Sequence, residues 1–140
     1  MKKLFATIIC LLAVLTTTAQ ETGGPFRAYL INKEYSVFLR IDFYQESISV
    51  PGQDLYGKLP GYLSKQHNSF CWLITSAEVD GNKATPQMIN DYGSEDLTAT
   101  LTCVNDSVYT LRQNSGSTLK VPEKKGWRKL PTTLTFVKRK

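Results

Sequence analysis

Tyr35-Ser36-Val37-Phe38-Leu39-Arg40-Ile41-Asp42-Phe43 is the stretch that decides the fold class. Its odd positions, Tyr35, Val37, Leu39, Ile41 and Phe43, are apolar or aromatic, and Ser36, Arg40 and Asp42 stand between them. Phe38 and Tyr44 dilute the contrast without breaking it. Side chains of a strand alternate between its faces, so this period of two predicts a strand with one dry and one wet face. That is the signature of antiparallel sheet.

Working outward, the same pattern recurs. Phe26 to Ile31 runs into the turn Asn32-Lys33-Glu34 and pairs with the strand that follows it. Ser47 to Val50 stops at Pro51-Gly52, and Phe70 to Val79 stops at Asp80-Gly81-Asn82, a dipeptide pattern expected to form a type I′ hairpin. Leu97, Ala99, Leu101 and Cys103 alternate with three threonines. Ser107 to Gln113, Thr118 to Val121 and Thr132 to Val137 complete the series, and only Pro86 to Asn90 reads as a helical turn. Eight or nine short strands with a turn every eight to twelve residues predict an all-β domain. Local hairpins at nearly every junction favour a single antiparallel meander β-barrel, because closure removes sheet edges; a β-sandwich is the alternative. In architecture the pattern is similar to lipocalin-like barrels. Those carry a Gly-x-Trp on the first strand, whereas Gly126-Trp127 stands near the C-terminus here, so the likeness transfers no site.

Composition agrees with one domain. The chain has 140 residues, 41% hydrophobic and 21% charged, with mean hydropathy -0.23. That is enough apolar material for one core and too little length for two. Residues 1–19 read as an export signal: Met1-Lys2-Lys3 is positive, Leu4 to Leu15 is apolar apart from Thr7, and Thr17 and Ala19 precede the expected cut. The apolar run is shorter than the roughly 20 residues that span a bilayer. The expected mature chain is residues 20–140, a single secreted β domain in the periplasm or outside the cell, with no transmembrane segment after cleavage.

Loss of Lys2 and Lys3 leaves fifteen basic against twelve acidic residues, a net charge of +3. The balance is uneven: residues 120–140 carry eight basic residues and only Glu123 opposing them. No aromatic stripe or nucleic-acid motif accompanies these charges, so nucleic acid is not expected as a partner. A solvated strand and tail that resist edge-to-edge pairing explain them. Two cysteines remain after cleavage, Cys71 and Cys103, and in an oxidising compartment they are expected to form one disulfide.

Equipment for catalysis is sparse. His67, the only histidine, lies in a polar stretch with no nucleophile beside it. No Gly-x-Ser-x-Gly elbow exists, and Ser117-Thr118-Leu119-Lys120 lacks the companions of the Ser-x-x-Lys enzymes. Neither a metal nor another cofactor is expected. What the residues support is binding of a small apolar ligand or of an envelope protein. Rings and aliphatics such as Tyr35, Leu39, Phe43 and Trp72 would line an unfilled barrel. Alternatively, exposed loops would grip an envelope enzyme or toxin in the manner of an inhibitor or immunity protein. Their residues would be Tyr56 and Tyr62 in a Gly/Pro-rich loop and Asp91, Glu95 and Asp96 in an acidic one. Asp106-Ser107-Val108 matches a short bacterial O-glycosylation tripeptide and equally suits a hairpin turn.

Overall fold

A computed structural model describes residues 23–140; the expected signal peptide at residues 1–19 lies outside them. Ten strands form: β1 (Arg27–Asn32), β2 (Val37–Asp42), β3 (Gly61–Lys65), β4 (Cys71–Asp80), β5 (Lys83–Asn90), β6 (Asp96–Cys103), β7 (Val108–Gly116), β8 (Lys120–Glu123), β9 (Gly126–Lys129) and β10 (Thr133–Lys138). Eight of them close an antiparallel barrel in meander order, with β10 completing the ring between β7 and β1. Strands β8 and β9 form a separate hairpin inserted before β10.

The period-two reading holds along β2. Val37, Leu39 and Ile41 face inward with Phe43 just beyond them, and Leu97, Ala99 and Leu101 do the same on β6. Each Val, Leu, Ile or Phe among them stabilises by about 1.5–3 kcal/mol when fully buried. Both ends of the barrel are capped. At one end Phe26 stacks on Phe43 at 5.8 Å, and the Tyr109 hydroxyl donates to the Pro25 carbonyl at 2.6 Å. Burial, with Cys103 beside it, pushes the Tyr109 phenol up to about 12. At the other end the β8–β9 hairpin drops Leu119, Val121 and Leu130 into the core. The Trp72 indole N–H fixes that cap by donating to the Lys120 carbonyl at 2.9 Å.

A second apolar layer lies outside the barrel. The long connection 43–60 folds back along the outer face of β2 to β5 as a strap. Its Ile48, Val50 and Leu59 cover Phe38, Tyr62, Cys71, Leu73 and Ile89. Asp42 anchors the start of the strap: its carboxylate accepts from the Tyr44 and Gln45 amides at 3.1 and 3.0 Å and from the Ser47 hydroxyl at 3.1 Å. The strap explains why Phe70 to Ile74 is apolar without alternation, since Trp72 and Ile74 face the core while Cys71 and Leu73 face the strap.

Several expectations need correction. Ser47 to Val50 makes only an isolated bridge, Ile48 to Leu59, because the segment serves as strap. Pro86 to Asn90 is not a helical turn but part of β5. Pro86 pairs with Ala77 of β4, and the β5–β6 pairing is interrupted beside it, where its missing N–H would be needed. The β4–β5 hairpin turns at Gly81 (φ 62) with no positive φ at Asn82, which fits a type II′ rather than a type I′ turn. The disulfide is not made. Cys71 and Cys103 are free thiols, one opening β4 and the other closing β6, and those two strands run the same way because each is antiparallel to β5. At about 3.3 Å per residue the two lie more than 20 Å apart along the barrel. A bridge needs Cα atoms within about 7 Å.

Candidate functional site

The interior does not offer a ligand site at the expected residues. Leu39 and Trp72 are 0% exposed, which leaves no room for even a water molecule beside them, and Phe43 is buried against Phe26. Tyr35 sits on the rim, half-buried, with the Arg128 guanidinium 4.4 Å over its ring. These four residues build the core and its cap instead of lining a pocket.

The structure does bring the two expected loops together. The strap rises along the barrel until residues 52–56 meet the β5–β6 loop, forming a groove of about 280 Å³. Gln53, Asp54, Tyr56, Asp91 and Tyr92 line it, and Leu73 lies at its base. Both sides are built by local hydrogen bonds. The Tyr56 amide donates to Gln53 Oε1 at 2.8 Å. On the other side, buried Asn90 accepts from the amides of Ser94 and Glu95 at 2.9 and 3.3 Å and donates to the Ser94 hydroxyl at 3.0 Å. Gly93 adopts φ 73 there, a left-handed backbone that suits glycine.

Of the expected partner-contacting residues, Tyr56 and Asp91 reach this groove. Tyr62 does not: it is a β3 residue buried under the strap, edge-on to Phe38 at 5.7 Å, and burial raises its pKa. The Gly/Pro-rich stretch therefore becomes a strand from Gly61 onward, where a Cβ would collide with the Arg40 carbonyl of the neighbouring strand. Glu95 is engaged by Lys120 at 3.2 Å, and Asp96 begins β6 with its side chain outside the groove. Cys71 lies beneath the same region, and burial, then the nearby Asp91 charge, pushes its thiol up to about 12.

Sequence reasoning missed the most exposed members. Leu55 is 86% exposed and Tyr92 74%, against 47% for Tyr56. Tyr92 also belongs to an aromatic row across the capped end: its ring lies 5.7 Å from Phe70, which in turn meets Trp127 at 4.9 Å. The sequence signal was available in Asp54-Leu55-Tyr56, two large apolar side chains in a stretch with no strand periodicity. Chemically the site offers apolar contact, ring faces and two carboxylates. Among the described residues no three His, Cys, Asp or Glu side chains come together to hold a metal ion, and no helix is long and apolar enough to cross a membrane. Comparison with family models, with curated proteins and with solved structures finds no match.

Proposed function

We propose that this chain is a non-catalytic binding protein of the bacterial cell envelope, exported by residues 1–19, and that its partner is another protein. One observation carries the reading: Leu55, Tyr56 and Tyr92 stand out into solvent around a single groove. Exposed aromatic and aliphatic side chains gathered on rigid loops are what protein-contact centres are made of. The packed interior removes the support for a carrier of an apolar ligand inside the barrel. Asp54 and Asp91 in the groove, with no basic residue lining it, favour a partner that presents lysine or arginine. An inhibitor or immunity protein covering a basic cleft meets that description.

Native mass spectrometry of the mature chain, purified gently from its own envelope, tests the reading beside the variant Leu55→Ser/Tyr92→Ser. The expected result is a second protein of defined mass, lost from the variant at unchanged melting temperature. A bare monomer, a small molecule as sole companion, or a partner held equally by the variant would overturn it.

A further inference from the structure

The barrel closes at its β1–β10 seam through the shortest ladder of the ring. Only Leu30–Lys138 and Ile31–Val137 are in register there, and beyond them β10 faces the turn after β1 instead of a strand. The Asn32 side-chain amide carries the contact past the last register pair by donating to the Thr135 carbonyl at 2.8 Å. Along this seam runs a groove of about 530 Å³ on the outer wall, within the usual range of about 300–1,000 Å³ for small-molecule sites.

Its chemistry is two-ended. Ile31 and Val137, directly opposed across the seam, make an apolar floor, and Val137 is half exposed. Lys138 and Arg139 stand at one end, while Lys33 at the other is offset by its neighbour Glu34. Arg139 is held in place: its amide donates to the Tyr29 carbonyl at 2.8 Å and its guanidinium lies 4.9 Å over the Tyr29 ring. The ion pairs among the described residues are Arg27–Asp42, Lys120–Glu95 and Arg128–Glu123, so neither Lys138 nor Arg139 is neutralised by a carboxylate. An apolar floor ending in two uncompensated cations is complementary to an amphiphile with an anionic head.

We propose that the β1–β10 seam binds a single-chain amphiphilic anion, its aliphatic body along Ile31 and Val137 and its carboxylate or equivalent head at Lys138 and Arg139. This site is on the barrel wall, apart from both the packed interior and the groove between the strap and the β5–β6 loop. The Arg139 fork, stacked on Tyr29 but in no ion pair among the described residues, and the neighbouring Lys138 ammonium would fix the head by charge-assisted hydrogen bonds.

The test is a ¹H–¹⁵N NMR titration of the mature chain with decanoate kept below its micelle concentration, alongside decanol and sodium phosphate. Saturable shifts are expected at residues 31–34 and 135–139. Lys138→Gln/Arg139→Gln should weaken decanoate at least tenfold and leave decanol unchanged. Val137→Ser, at a half-exposed position, should weaken both while the melting temperature stays unchanged. Absence of saturable shifts, shifts centred on Leu39 and Trp72, equal binding of decanoate and decanol that the double variant leaves intact, or the same shifts from phosphate alone would each overturn the proposal.

Discussion

Replacing Asp42 should unlatch the strap, and the effect should depend on pH in a definite direction. The carboxylate is almost wholly buried and takes four interactions: two backbone amides, the Ser47 hydroxyl and Arg27 at 3.8 Å. Burial alone would raise its pKa, but the hydrogen bonds and Arg27 outweigh it and hold the group below the ordinary carboxylate value. A hydrogen bond to a charged group contributes about 1.5–3 kcal/mol. Gln45 is exposed and its amide can turn to water, so Asp42→Ala should cost about 3 kcal/mol and not the full sum. Asp42→Asn keeps Oδ1 as the acceptor for both amides but turns Oδ2, the partner of Ser47 and Arg27, into an amide donor, for about 1–2 kcal/mol. The sign follows from the lowered pKa: the charge stabilises the fold above the unfolded-state pKa of about 3.9 and ceases to do so as pH falls through the folded value. Urea unfolding followed by tryptophan fluorescence from pH 7 to pH 2 measures both. The gap between the native protein and Asp42→Asn should be full at pH 7 and close in the acid range. A gap that stays constant with pH, or an Asp42→Ala variant as stable as the native protein, would refute the reasoning. Hydrogen exchange in residues 43–60 should also accelerate in Asp42→Ala, since the strap loses its anchor while the barrel ladder stays intact.

Three further outcomes are expected. Trp72→Phe leaves the Lys120 carbonyl without its indole donor, so it should destabilise by about 1–3 kcal/mol and speed hydrogen exchange in the β8–β9 hairpin before the barrel strands. In the mature chain, iodoacetamide should label Cys103 under native conditions, and Cys71 only after unfolding, because its thiol is buried and held protonated to about pH 12; intact mass counts the labels. Gly61→Ala places a methyl group against the Arg40 carbonyl and Ile41, and thermal unfolding should show a loss of about 1–3 kcal/mol.

The strand faces were legible where one side of a strand is wet. On β2 and β6 the alternation of apolar and polar residues assigns inside and outside from a few neighbours, and a chain of such segments joined by short turns leads to a meander. That reasoning fails for Gly61 to Ser64 and for Phe70 to Ile74, which are buried on both faces because the strap covers the outer one. Tyr62 looked like an exposed loop ring for this reason, and Ser47 to Val50 looked like a strand. The candidate site was half legible. Tyr56 and Asp91 were singled out, but they stand 35 positions apart in the chain, and nothing local says that the strap carries one up to the other.

By itself the sequence determined the all-β class and the division of the alternating strands into a dry and a wet face, and it favoured a barrel meander over a sandwich, because a period of two is a property of the backbone that adjacent residues report directly. The tertiary structure alone decided the rest. It filled the interior with Leu39 and Trp72, placed Cys71 and Cys103 at opposite ends of the barrel, laid the strap over the outer wall and closed the ring through a short β1–β10 ladder. Those outcomes depend on which distant surfaces meet when the sheet closes on itself, and pairing across the ring is settled by the burial of whole faces and not by any single stretch of chain.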